Sequence, residues 1–175
     1  MNLKKKIVAL GMVCALAVGM ATSAFAADYS GQQYFFKAYG GAGSVLNTWS
    51  SSVKAGDPIR LFNFTGDASQ KWVLVRNSSD GTYSIRVKAN TYYAINRSNG
   101  SGHAILWDWI NGQADSNMSL NDHNSGGKTF TFHLAGGAHK WEYLRAEGSG
   151  YGAYVSFGPA YNGNDARVLW TQYIP

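Results

Sequence analysis

The chain has 175 residues, 45% hydrophobic and 14% aromatic, with 21 glycines, three prolines and one cysteine. Fifteen Lys and Arg stand against ten Asp and Glu, a formal charge of +5, but three of the lysines fall in the first six residues. Without that leader the balance is 12 to 10, a net charge of +2, which carries no nucleic-acid footprint.

In chain order, Lys4, Lys5 and Lys6 head an apolar run from Ile7 to about Met20, and Ala24-Phe25-Ala26 fits a small-x-small cleavage site. The pattern predicts a signal peptide over 1–26, cleaved after Ala26, and hence a secreted protein. The run is shorter than the roughly 20 apolar residues a spanning helix needs, so no membrane association is expected after cleavage. Cys14 lies in that run behind Gly11-Met12-Val13, a poor lipobox. The 149 residues that remain have no cysteine, fit one domain, and must be held by packing rather than disulfides.

After the leader, helical periodicity is nearly absent. Short β-branched and aromatic runs alternate with Gly, Asn, Asp and Ser clusters. Strands are predicted at 34–39, 44–49, 59–64, 71–76, 82–88, 92–97, 104–109, 129–134, 140–145, 152–157 and 166–173. Their close spacing implies hairpins and an antiparallel all-β domain, a barrel or a sandwich.

Self-similarity narrows the choice. "YFFKAYGGAGSVLNTW" (34–49), "YSIRVKANTYYAINR" (83–97) and "WEYLRAEGSGYGAYVSF" (141–157) share a strand, a small-residue turn and a strand with a central polar residue: Asn47, Asn96 and Ser156. A third strand follows each, with Leu61-Phe62, Leu106-Trp107 and Leu169-Trp170. A fourth strand follows in the first copy at Gln70-Lys71-Trp72 and in the second at Lys128-Thr129-Phe130, and the third copy lacks one. This gives repeats over about 34–76, 82–134 and 140–175 within one domain, 27–175. It also makes 111–127 an extra polar loop. A second register, with Asn117-Met118-Ser119-Leu120 as the fourth strand, fits as well. Three such copies describe a β-trefoil, with an antiparallel β-sandwich as the alternative.

"IRLFNFTGDASQKWVLV" (59–75) and "NGNDARVLW" (162–170) resemble the ricin-type, or Gln-x-Trp, carbohydrate-binding β-trefoil, and the likeness extends from Tyr34 to Trp170. The resemblance implies structural roles for Gln70, Trp72 and Phe130. It implies sugar contacts from the second strand (Asn47, Asn96, Ser156) and third-strand aromatics (Phe62, Trp107, Trp170), with Ser69 and Asp67 ahead of Gln70. A pyranose has polar edges and an apolar face, so its site needs hydrogen-bonding groups beside an exposed ring. Amides here replace the family's usual second-strand Asp, and neutral hydrogen bonds hold hydroxyls more weakly than charged ones. Copy two looks most competent, with Asn96, Trp107 and Asp108 clustered near His103. Asp108 is expected to be exposed and Trp107 at least partly exposed, the alternative being that one of Trp107 and Trp109 faces the core. In copy three, Asn164, Asp165 and Arg167 surround Trp170.

No catalytic motif is present. "GSGYGA" (148–153) mimics a dinucleotide fingerprint, but no helix follows it. Glu142 and Glu147, the only glutamates, are read as solvated charges rather than a glycosidase pair. His133 and His139 flank a Gly-Gly turn and are read as surface histidines rather than metal ligands. Asp115, Asn117 and Asp122 do not match calcium-loop spacing. The expectation is a secreted, non-catalytic, cofactor-free lectin-like protein whose partner is a glycan or polysaccharide of a cell surface or wall. The alternatives are a β-rich toxin or antimicrobial protein, and a hydrolase inhibitor acting through 111–127.

Overall fold

The computed structural model describes residues 28–38, 43–50, 52–123, 128–160 and 165–174. The leader, with Cys14, and Asn164 lie outside the described residues. Among the described residues no helix is long and apolar enough to cross a membrane. The strands are β1 (Gln33–Tyr34), β2 (Phe36–Ala38), β3 (Ser44–Thr48), β4 (Ile59–Asn63), β5 (Trp72–Arg76), β6 (Tyr83–Val87), β7 (Tyr93–Arg97), β8 (Ala104–Asp108), β9 (Met118–Asp122), β10 (Thr129–Leu134), β11 (Tyr143–Ala146), β12 (Val155–Gly158) and β13 (Trp170–Gln172). β1 and β2 are one extended stretch interrupted at Phe35, so each of three copies supplies four strands.

The first and fourth strands of the copies pair in the order β1-β5-β6-β9-β10-β13-β2. The ends of that ladder both sit on the stretch Gln33–Ala38. The second and third strands form three hairpins, β3–β4, β7–β8 and β11–β12. Three isolated bridges join those hairpins cyclically: Pro58 to Ile105, His103 to Ser156, and Tyr154 to Arg60. Each bridge links the same pair of positions in successive copies, which is a pseudo-threefold axis written in backbone pairing. The fold is therefore a β-trefoil and not a sandwich.

Sequence explains the local geometry. Between β5 and β6, Asp80 Oδ1 accepts from the Thr82 amide (2.9 Å) and hydroxyl (2.7 Å), while Gly81 takes φ +75°, a conformation that costs residues with a Cβ. The loop 77–82 thus closes with Arg76 opposite Tyr83. Inward positions carry the core. Leu46 and Leu61, Ile95 and Leu106, and Leu144 and Phe157 face each other in the three hairpins and are all buried. Phe36, Phe130 and Phe132 fill the barrel, with Phe36 meeting Phe132 edge-on at 5.3 Å.

Gln70 is fully buried. Its Oε1 accepts from the amides of Thr65 (2.8 Å) and Gly66 (3.1 Å), and its Nε2 donates to the Asn63 carbonyl (2.7 Å). One amide side chain thus pairs three backbone groups of the loop entering β5, groups that would otherwise be left without partners. Two residues on, the Trp72 indole donates to the Leu46 carbonyl at 3.0 Å. Trp170 repeats this, donating to the Leu144 carbonyl at 2.9 Å across the same separation of 26 residues.

That repetition corrects the register of copy three. Trp170 is the counterpart of Trp72 on a fourth strand, is fully buried, and offers no face to a ligand. Ser156 lies on a third strand, not a second. Phe130 is a core residue on the first strand of copy three rather than the fourth of copy two. The fourth strand of copy two is β9, inside the segment read as an extra loop. Its Met118 stands where the other copies have Trp, opposite Leu134 on β10.

Candidate functional site

Hairpin register fixes which residues are equivalent. Asn47, Asn96 and Arg145 occupy one second-strand position, opposite Arg60, Ile105 and Ser156. Phe62, Trp107 and Gly158 occupy one third-strand position. Ser69, Asp115 and Arg167 each lie three residues before the first residue of the fourth strand. Three niches of common architecture result, with different chemistry.

In copy one, Asn47 is buried and its Nδ2 donates to Ser69 Oγ at 3.3 Å. Beside them Phe62, Trp49 and Tyr151 form a wall of three rings, with centroids 4.8 Å apart for Phe62 and Tyr151 and 5.6 Å for Trp49 and Phe62. Tyr151 comes from the β11–β12 turn of copy three and is exposed. Asp67 accepts from the Thr65 hydroxyl at 2.6 Å on the rim. The open pocket measures about 390 Å³.

In copy two, Trp107 is 44% exposed, while Asn96 is 1% exposed and donates through Nδ2 to the Ala94 carbonyl. Gln113 Nε2 donates to Asp115 Oδ2 at 3.1 Å. Three buried acceptors, Asn96 Oδ1, Gln113 Oε1 and Asp115 Oδ1, have no hydrogen-bond partner among the described residues. All three side chains line one pocket of about 280 Å³ with Trp107. Buried acceptors without donors are costly, so the pocket favours a ligand that brings O–H or N–H groups.

In copy three, Gly158 stands where the ring would be, and a Cβ there would lie 2.8 Å from Arg145 Cζ. The Arg145 guanidinium occupies the space, donating to Glu147 Oε1 (2.8 Å) and the Pro159 carbonyl (3.2 Å). Ser156 Oγ donates to the same Glu147 oxygen. Burial alone would raise the Glu147 pKa, but hydrogen bonds from Ser156 and Arg145 outweigh it and hold the carboxyl below its ordinary range. This niche is filled by the protein's own ion pair.

The other residues singled out in the sequence lie elsewhere. His103 stacks on Tyr154 at 4.6 Å, at the hairpin junction and away from the lining of the Trp107 pocket. Asp108 is half-buried and also outside that lining. Neither Trp107 nor Trp109 faces the core: Trp109 lies half-buried on the barrel wall beneath Arg86. Glu142 and Glu147 are ion-paired with arginines, Glu142 with Arg97 at 2.7 Å and Glu147 with Arg145 at 2.8 Å, and Glu142 is also hydrogen-bonded to His139 Nδ1 at 2.7 Å. His133 is buried against Trp141 at 4.7 Å, and burial, helped by Lys140, lowers its pKa. Asp122 accepts from Tyr29. Sequence reasoning missed Trp49, Tyr151, Gln113 and the niche role of Asp115. Counting back from Met118 in the second register would have placed Asp115 beside Asn96.

No family model matches the sequence, and no characterised protein matches it in sequence. Solved structures do match. The designed threefold-symmetric protein ThreeFoil superposes with a TM-score of 0.65 at 21% identity, covering 82% of this chain and 99% of that one. The ricin B-like lectin of Macrolepiota procera, solved with lactose, gives 0.62 at 14% identity over 86% of this chain and 100% of that one. A mosquitocidal holotoxin gives 0.68 at 14% identity over 83% of this chain and 18% of that one. The chain thus has the β-trefoil fold found in ricin B-like lectins.

Proposed function

We propose that this protein is an exported, non-catalytic carbohydrate-binding protein whose working niches are those of copies one and two. The observation that carries the reading is the copy-two pocket. Three buried acceptors lie beside an exposed indole face, an arrangement suited to a pyranose that donates hydroxyl hydrogens at its edge and stacks its C–H face on Trp107. Copy one supports it with a ring wall above the Asn47–Ser69 floor. The lactose-bound neighbour of the same fold is in keeping with it. Fold alone does not settle function, so the weight rests on the niches. Neither glutamate lines these two pockets, and each is held by an arginine, Glu147 by Arg145 and Glu142 by Arg97 at the edge of the copy-two pocket, which is in keeping with binding without hydrolysis.

A single shallow site of this kind holds a sugar with Kd around 1 mM, about 4 kcal/mol, and two sites on a multivalent polysaccharide add avidity. The test is a glycan array with the mature protein, followed by calorimetry on the selected saccharide with Trp107→Ala and Phe62→Ala. Selective binding of a neutral saccharide, weakened by either substitution and without product release, is expected. Absence of any glycan ligand, or full affinity in both variants, overturns the reading.

A further inference from the structure

A third pocket lies on the barrel wall, about 160 Å³ in volume, between the β5–β6 hairpin and the segment joining β8 to β9. Its principal lining is Arg76, Asn77, Ser84, Arg86, Trp109 and Asn117, and no Asp or Glu lines it. Arg86 is half-buried, donates from Nε to Ser84 Oγ at 3.0 Å, and rests its guanidinium 3.9 Å over the Trp109 ring. Burial lowers its pKa, and no carboxylate contributes to the shift. In the adjoining turn, the Asp80 carboxylate accepts from Thr82. The Trp109 Nε1–H is buried and has no acceptor among the described residues.

A guanidinium drawn out of water without a counter-charge is unfavourable, and its planar fork is shaped to donate to two oxygens at once. Here that fork is fixed by stacking and by Ser84, beside a second arginine and an unpartnered indole N–H. Every charged group in the lining is cationic, and the unmet demand is for acceptors. In the copy-two sugar niche the unmet demand is for donors, so the two pockets select opposite chemistry. We propose that the Arg76–Arg86–Trp109 pocket binds a tetrahedral oxyanion of the sulfate class, either as the free ion or as the sulfate ester of a saccharide. The segment after β8 supplies Gln113 and Asp115 to the sugar niche and Trp109 and Asn117 to this pocket. The proposal stands on its own whether or not the sugar niche is active.

The experiment follows the indole N–H signals of the 15N-labelled protein during titration with sodium sulfate, against sodium chloride at matched ionic strength. The Trp109 signal is expected to shift saturably with sulfate only, with the Trp107 signal unmoved. Arg86→Gln should weaken binding about tenfold or more, as expected for losing a charge-assisted bidentate contact. Arg76→Gln, an exposed position, makes the same comparison should Arg86→Gln fail to fold. A sulfated monosaccharide and its unsulfated parent separate the sources. Tighter binding of the ester than of inorganic sulfate assigns the glycan, and equal binding assigns the free ion. A non-saturating drift equal to that in chloride, or unchanged sulfate affinity in the folded arginine variants, overturns the oxyanion site. The response of Trp107 to the unsulfated sugar reports the lectin reading separately in the same spectra.

Discussion

Copies two and three share a frame and present opposite surfaces. Both place a hairpin against the axis with matched register, yet copy two leaves three buried acceptors beside an exposed Trp107, whereas copy three fills its niche with Arg145, Glu147 and Ser156. Two exchanges in equivalent positions account for the difference: Asn96 to Arg145, and Trp107 to Gly158. The niche is thus open in one copy and self-satisfied in the other through residues that leave the core unchanged.

The largest effects should come from the frame that the copies share. Trp72→Ala and Trp170→Ala each remove a fully buried indole and its bond to a backbone carbonyl, so each should cost about 3–5 kcal/mol in chemical denaturation. Near-native stability with lost sugar binding in Trp170→Ala would return Trp170 to a ligand role. Gln70→Ala should come next. It removes the partner of the Thr65 and Gly66 amides and the Asn63 carbonyl, and because water can replace part of that pairing in this part-buried loop the loss should be about 1–3 kcal/mol.

Trp107→Ala should separate binding from stability. Sugar affinity should fall about tenfold, some 1.4 kcal/mol, while the unfolding midpoint moves little because the ring is exposed. The smallest effect concerns acid. Burial alone would raise the pKa of Glu142, but hydrogen bonds from Arg97 and His139 outweigh it and hold the carboxyl below its ordinary range. A carboxyl with a depressed folded-state pKa stabilises fully above its unfolded value, and the contribution fades as pH falls through the folded value. Stability should therefore decline as pH falls through the acid range, and Glu142→Gln should flatten that limb of the curve.

Much of the fold was legible because trefoil strands announce themselves twice, by alternation and by repetition. The Gln70-x-Trp72 segment specified its own role, since an amide can close a loop and an indole can fill a core. The register of copies two and three was harder. β9 reads MSLND, short and polar toward its end, and Met118 carries no indole to mark it as the partner of Trp72. Val168 likewise stands where copy one has Gln70, so Leu169-Trp170 reads as a third strand. With β9 read as loop, Asp115 has no place beside Asn96. Tyr151 could not be read from copy one at all, because it reaches that niche from another copy's turn. Arg145 was missed for a related reason: with the register shifted by a strand, it fell outside the repeat position that it fills.

The central claim is that copies one and two bind sugar and copy three does not. The most direct measurement follows all six indole N–H signals during titration with the saccharide selected on the array. The account predicts saturable movement of Trp107 and Trp49, with Trp72 and Trp170 still. Movement confined to the core tryptophans or Trp141, or an identical titration in Trp107→Ala, would contradict it.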